Sequence, residues 1–404
     1  MSQNLKNKKI VMLLASDFSH DSRVLKEATS AAQAGMKVTL LARKSFETKL
    51  SETRDGFKVK RFQTWIDWLW SRTSVNQGRE VAGSQSAGTN IPSVLVTYTS
   101  MINLWFLNRL FVKACLKIKP DIVHANDSIT LPAAYKLKEC GFNVVFDSHE
   151  LYSESVASPD YFWKKYYVYL ENNISRLDGV FSVCQSILDE LKTRYHIENL
   201  PQAILYNTPR YRKFIVKKVS HPLKLLYLGN LQGTRDFSKL FSAIEKSPGV
   251  LLTNIGPGWK EGRQGNIATK PAVASNEVLA TAANYDVGII PYIADCLNNR
   301  YSTPNKLFEY TMAGLAIAAS DLPEIKKVVT EPQSGVLFDP TSPKSIRAAI
   351  KELVGHPKKI IDFKRNSLKK AKKYSWENQE KKQLEMYAQI IAQKKKKSFH
   401  WTAR

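Results

Sequence analysis

Short apolar runs alternate with longer helix-patterned segments twice along this chain, and a basic, proline-bearing stretch separates the two series. The first series places strands at Ile10–Ala15, Met36–Ala42, Asp121–Ala125, Asn143–Asp147 and Gly179–Val183. Helices fall between them over Ser22–Ala34 and near 130–139, 161–177 and 185–194. Asp21 suits the first helix start, because its side chain accepts from first-turn amides, and Gly35 suits the stop. The second series runs Leu223–Gly229, Leu251–Gly256, Asp286–Pro291 and Leu315–Ala319. Strands that alternate with helices pair in parallel, with helices on both faces of the sheet. The expected fold class is therefore α/β, with two Rossmann-like, doubly wound parallel-sheet domains and a cleft between them. Residues 1–207 form the first domain, 208–222 the linker, 223–374 the second domain, and 375–404 a final helix with a basic tail. A chain of 404 residues has ample core for both. Residues 71–92, rich in Ser, Gly, Gln and Thr, read as a mobile insertion. Ligands of open α/β sheets bind beyond the carboxyl ends of the strands, so both domains should face the cleft.

One segment of the second domain carries chemistry at close spacing. In Ser302-Thr303-Pro304-Asn305-Lys306-Leu307-Phe308-Glu309-Tyr310-Thr311-Met312-Ala313-Gly314-Leu315, Pro304 suits a helix start and Gly314 its stop. Lys306 and Glu309 stand three residues apart and project from one side. A helix N-terminus with a Lys suits an anionic group such as a diphosphate. A carboxylate one turn on suits a pair of sugar hydroxyls, because it only accepts when ionised. A surface helix with an i,i+3 ion pair explains the same residues.

Charge narrows the partners. The formal net charge is +24, which calls for an anionic partner: nucleic acid, anionic lipid or a phosphorylated substrate. From His356 to the end there are fifteen Lys/Arg against four Asp/Glu, or +11 of the total. Lys394-Lys395-Lys396-Lys397 is followed by Phe399 and Trp401, a pattern that suits an acidic membrane face and equally a solvated tail. No zinc finger, RNP string or GXXG loop supports nucleic acid. Cys115, Cys140, Cys184 and Cys296 lie far apart, which argues against a disulfide framework or zinc site. No D-x-D and no H-E-x-x-H is present, and the six-residue run Ile10–Ala15 is too short for a signal-peptide core. Ser93–Lys113 is apolar, with Trp65, Trp68 and Trp70 upstream. It reads as a long helix buried against the first sheet, with a membrane-interface role as the alternative.

The 304–314 string resembles the donor-binding motif of family-4-type glycosyltransferases of the GT-B fold, bacterial type, many of which carry P-N-K-x-F-E-Y-x-x-A-G. Pro120-Asp121-Ile122-Val123-His124-Ala125-Asn126-Asp127, Asp147-Ser148-His149-Glu150, Leu226-Tyr227-Leu228-Gly229-Asn230 and Tyr374-Ser375-Trp376-Glu377 resemble further segments of these enzymes. The resemblance implies a nucleotide-diphosphate sugar as donor and a lipid-linked or surface-polysaccharide glycan as acceptor. It also implies anomer-retaining, metal-independent transfer without a cofactor, and a C-terminal helix that crosses back to the first domain. His149, Arg235 and Lys306 are the implied catalytic residues. Asn305, Lys306, Glu309, Arg235 and Gly256 are the donor-binding candidates, and Glu150, Asp127 and Arg23 the acceptor-side ones; His124 is expected to be structural. Arg23 could equally face the solvent, and Gly256-Pro257-Gly258 is also explained by a tight turn.

Two departures stand out. The family's E-x7-E would put its first Glu at position 301, which is Tyr301 here. Relatives often place a Lys where Gly233 stands, although Arg235 matches their Arg. The reading is a hexosyltransferase-like enzyme in the cytoplasm, peripheral on the inner face of the plasma membrane. A nucleotide-sugar 2-epimerase of the same fold and a non-catalytic GT-B-fold binding protein are the alternatives.

Overall fold

The computed structural model describes residues 5–19, 21–67, 93–155, 161–230 and 236–401. The expected insertion at 71–92, Trp68, Trp70, Gly233 and Arg235 lie outside these residues, as do the side chains of Lys394–Lys397 and of the residues that follow them.

The first half contains β1 (Lys9–Leu13), α1 (Ser22–Gln33), β2 (Lys37–Arg43), β3 (Ser51–Arg54), β4 (Phe57–Phe62), α2 (Ser93–Ile118) and β5 (Ile122–Asn126). It continues through α3 (Leu131–Glu139), β6 (Val144–Ser148), α4 (Tyr161–Glu171), β7 (Gly179–Ser182), α5 (Gln185–Tyr195) and β8 (Gln202–Ile204). The eight strands form one sheet in the order β3-β4-β2-β1-β5-β6-β7-β8. The central strands β5, β6 and β7 are buried along their whole length, which is why they read as continuous apolar runs. As expected, the Asp21 side chain accepts from the amides of Arg23 and Val24 to start α1.

The second half contains β9 (Leu223–Leu228), α6 (Ser238–Glu245), β10 (Val250–Ile255), β11 (Gly262–Gln264), β12 (Ile267–Lys270), α7 (Val278–Ala282), β13 (Val287–Ile290) and α8 (Leu297–Arg300). There follow α9 (Asn305–Ala313), β14 (Ala316–Ser320), α10 (Pro323–Thr330), β15 (Gly335–Phe338), α11 (Pro343–Gly355), α12 (Pro357–Ala371) and α13 (Trp376–Trp401). Its seven strands take the order β11-β12-β10-β9-β13-β14-β15. This is the expected GT-B architecture of two doubly wound sheets. In each, the chain order reverses at a central strand, β1 beside β5 and β9 beside β13.

The differences from expectation are local. β3 pairs with β4, and β11 with β12, in antiparallel fashion at the sheet edges. Helix α4 stops at Glu171, six residues short of 177, and a 3-10 turn at Ile174–Arg176 follows.

α13 crosses back to the first domain, as expected. Its Trp376 indole N–H donates to Ser30 Oγ at 2.8 Å. Its Met386, Tyr387 and Ile390 fill the core beside Ile10, Val24 and Phe181. Lys26 of α1 ties the hinge: its Nζ donates to Asn207 Oδ1 at 2.7 Å and Thr208 O at 2.6 Å, and lies 5.0 Å from the Trp376 ring.

Candidate active site

Helix α9 is fixed before its polar side chains are considered. Pro304 precedes it in extended conformation and Gly314 closes it in the left-handed region, at φ 73°. Tyr310 then pins the helix to β9: its hydroxyl accepts from the Leu228 amide at 2.8 Å and donates to Leu226 O at 3.0 Å. That aims Lys306 and Glu309 into a cleft of about 580 Å³ between the two domains, where both form part of the wall.

Lys306 is 6% exposed. Its Nζ lies 4.3 Å from the centre of the Tyr227 ring and 5.1 Å from that of Tyr292. Two ring faces therefore hold the ammonium, through their quadrupoles, at the N-terminal end of α9. Gly229 makes room, because a Cβ there would stand 3.0 Å from Lys306 Nζ and 2.9 Å from Tyr227 Oη. Gly256 closes the same corner, where a Cβ would sit 2.2 Å from Gly229 O. Burial raises the pKa of Glu309, with Lys306 and Lys26 opposing the rise. Asn305 is exposed on the lip.

The opposite wall comes from the strand ends of the first domain. Asp127 follows β5 with φ 65°, and His149 and Glu150 follow β6. His149 Nδ1 lies 3.0 Å from Asp127 Oδ1, and its Nε2 lies 3.2 Å from Asp147 Oδ2. Burial opposes a charge on this ring, but the two carboxylates outweigh it and push its pKa up to about 10. His149 is thus an imidazolium with both N–H groups directed at protein carboxylates. Burial also works against ionisation of Asp147, yet Arg23 and His149 hold its pKa well below the usual range. Arg23 donates from Nε to Asp147 Oδ2 at 2.9 Å and from Nη2 to Oδ1 at 2.7 Å. Its remaining terminal nitrogen donates to Leu205 O at 2.5 Å. Arg23 is 3% exposed, so the solvent-facing alternative does not hold; burial against Asp147 and Glu27 removes it from water.

Behind Arg23, Glu27, His124 and Asp147 bring one ligand atom each within 4.8 Å. Such a set could hold a cation, and one is already there: Arg23 Nε is 3.1 Å from Glu27 Oε1. Burial raises the Glu27 pKa well above the carboxylate range, with Asp147 adding to it, and burial lowers that of His124. His124 accordingly sits in the core between Phe181 and Tyr387, in the structural place expected.

The domains meet across the cleft. The Leu151 amide donates to Asn298 Oδ1 at 2.8 Å, and Asn298 Nδ2 lies 3.4 Å from Glu150 Oε2. Thr303 Oγ1 donates to Val183 O at 3.3 Å, and the Ser186 amide to Glu324 Oε1 at 3.1 Å. Tyr301 packs against the core of the first domain, and its carbonyl accepts from Cys184 Sγ at 3.2 Å. Its side chain is outside the cleft wall; the neutral side chains of Asn298, Asn299 and Ser302 form that stretch.

Of the residues singled out in the sequence, Lys306, Glu309, Asn305, Gly256, His149, Glu150 and Arg23 come together around one cleft. Asp127 lies behind His149 and accepts from the Tyr152 hydroxyl, while Arg235 falls outside the described residues. Sequence reasoning missed Tyr227, Tyr292, Tyr152 and Asn298, which reach the site from four separated segments, and the Glu27–His124–Asp147 cluster. The one available signal was Glu27, four residues after Arg23 on the same helix.

Comparison with known proteins gives concordant findings. Residues 22–208 match Glycosyltransferase Family 4, and residues 222–356 match Glycosyl transferases group 1. No match is found among curated proteins. Among solved structures, sucrose-phosphate synthase from Thermosynechococcus elongatus superposes with a TM-score of 0.71 at 14% identity, over 96% of this chain and 100% of that one. A trehalose-6-phosphate synthase, studied for glycosyltransfer with retention using bisubstrate glycomimetics, gives 0.64 at 11% identity over 94% and 99%. Anabaena HepE in complex with UDP-glucose gives 0.62 at 14% identity over 96% and 99%.

Proposed function

We propose, from the premise that this chain is a glycosyltransferase of the GT-B fold, that it moves a hexosyl group from a nucleotide-diphosphate sugar to a glycan or lipid-linked acceptor. The observation that carries the donor reading is Lys306, held between two tyrosine faces at the start of α9 with Glu309 one turn further on. Breaking a sugar–diphosphate bond builds negative charge on the leaving phosphate, which fixed positive groups must meet. Lys306 and the positive end of the α9 helix dipole supply such groups, and Arg235 is the further candidate. Glu309 accepts from a pair of ribose hydroxyls. His149, whose two protons are held by Asp127 and Asp147, offers a fixed charge and ring edge to the donor and does not shuttle protons. Glu150 and Asn298, joined across the domains, face the space between donor and acceptor. The UDP-glucose bound by HepE supports the donor class, and the retention named for the trehalose-6-phosphate synthase supports the stereochemistry.

Transfer is proposed to need neither metal nor cofactor, because Arg23 already stands as the cation beside the buried Asp147 and Lys306 meets the phosphate. The test is a panel of nucleotide sugars with glycan and lipid-linked acceptors, scored for nucleotide release and for the anomer formed. Retained turnover in excess EDTA is expected. Loss on chelation with recovery on magnesium overturns the metal-independent reading. A 2-epimerised sugar nucleotide as product, or donor binding without turnover, overturns the transferase reading.

A further inference from the structure

The outward face of the first domain has a composition that its fold does not require. Helix α2 buries Leu107, Phe111 and Cys115 in the core, as the buried-helix reading expected. Its opposite side presents Tyr98, Ile102, Trp105 and Arg109, spaced so that they lie on one stripe. Tyr98, Ile102 and Trp105 are 53%, 47% and 51% exposed, and Trp65 beside them is 54% exposed. The stripe continues onto α4, where Phe162 and Tyr169 are exposed, Tyr169 at 72%. Ring contacts knit it together: Trp105–Phe106 at 4.8 Å, Trp65–Phe106 at 6.1 Å and Tyr98–Phe162 at 5.8 Å.

The charged groups on the α2 part of this face are cations. The Arg109 guanidinium lies 4.6 Å over the Trp105 ring, and Lys113 and Lys165 are exposed nearby. The segment Ser93–Ile118 contains no Asp or Glu. The one acidic residue of α4, Glu171, is buried and accepts from Ser128 and Tyr195. A soluble surface rarely gathers this much contiguous aromatic area. A two-fold contact through α2 would set Arg109 and Lys113 against their own images, and α2 itself offers no acid to come between them. Aromatic rings with an apolar body and a polar edge, flanked by Arg and Lys, match the headgroup region of an anionic bilayer.

We propose that this face, formed by Trp65, the outward stripe of α2 and the outer side of α4, seats the protein on an anionic lipid surface. Its position gives the contact a purpose. Tyr167, on α4, stacks on Tyr152 at 5.3 Å, and Tyr152 lines the cleft. The seated face is thus one aromatic layer from the acceptor side of the cleft, where a lipid-linked acceptor would arrive. That last link rests on the acceptor reading above; lipid seating itself does not.

The experiment is co-sedimentation of the full chain with vesicles of phosphatidylcholine and phosphatidylglycerol, and with phosphatidylcholine alone. Binding is expected to the anionic vesicles and to weaken with salt, since exposed charges are screened over about 8 Å at physiological ionic strength. Ile102→Ser with Trp105→Ser, and separately Arg109→Gln with Lys165→Gln, should each lower partition by about ten-fold or more. Unchanged near-UV circular dichroism and unchanged hydrolysis of a soluble nucleotide sugar show that the variants are folded. Equal partition of either folded variant and the parent overturns the proposal, as does equal binding to neutral vesicles. Abolition of binding by ending the chain at Gln393 would move the seat to the basic tail. A dimer that becomes a monomer in the Trp105 variant would make the face a contact between copies. Absence of sugar transfer leaves the vesicle result standing, so the two readings fail separately.

Discussion

Replacing Lys306 by Met keeps the length of the stem and removes the charge. The ammonium is almost fully buried between Tyr227 and Tyr292, so its field on a bound phosphate is little screened by water. A hydrogen bond to a charged group contributes roughly 1.5–3 kcal/mol, which corresponds to about 10- to 150-fold in affinity. The fold should tolerate the change, because the variant loses a cation–π contact of about 2 kcal/mol but also loses a buried charge, and a thioether packs well on aromatic faces. The assay is calorimetry with the nucleoside diphosphate of the donor that the panel identifies and with the matching nucleoside. Diphosphate affinity should fall by about 10- to 150-fold and nucleoside affinity stay the same, with little change in melting temperature. Diphosphate affinity within threefold of the parent, in a folded Lys306→Met protein, would refute the assignment of this Lys to the diphosphate. On turnover, loss of one such electrostatic contact should cost about 100- to 1,000-fold in kcat.

Three further outcomes are expected. Glu309→Gln keeps the shape and removes the charge, so donor affinity measured by calorimetry should fall by about ten-fold with the fold intact; unchanged affinity removes its ribose role. Gly256→Ala places a Cβ 2.2 Å from Gly229 O and should cost about 1–3 kcal/mol in urea unfolding together with nucleotide binding, whereas Gly355→Ala, with nothing within 4 Å, should be neutral or stabilising. The His149 pKa stands at about 10 against an ordinary 6.5, so its contribution is complete below about pH 6.5 and is lost as pH rises through 10. That loss amounts to at most about 5 kcal/mol, and pH-dependent denaturant unfolding of His149→Gln should lack it.

Much of the fold was legible because the central strands of a parallel sheet are covered on both faces and announce themselves as apolar runs. The edge strands did not. β3 reads Ser-Glu-Thr-Arg and β11 reads Gly-Arg-Gln, both largely exposed, with no apolar alternation to betray them. The donor side of the cleft was legible because Pro304, Lys306, Glu309 and Gly314 belong to one helix and its caps. The first-domain side was not. Arg23, Asp127, Asp147 and His149 act as one ladder, but Arg23 and Asp147 are 124 positions apart, and nothing local reports that pairing. Tyr301 shows the same limit in reverse. The family's E-x7-E pattern put a carboxylate at position 301, whereas packing turns the Tyr301 side chain into the neighbouring domain.

The path of α13 sets an order of events at the ribosome. The first domain ends near Asn207, yet Tyr387, which bonds His124 in its core at 2.6 Å, is translated 180 positions later. At about 5–20 residues per second that interval lasts roughly 9–36 s. Throughout it, Ile10, Val24 and Phe181 have an apolar flank with no lid, beside the buried Glu27 and Arg23. The nascent first domain must therefore wait for the last helix, and a chain stalled or cleaved after Phe338 but before Trp376 should display this flank to chaperones and proteases although every strand of both sheets has been made.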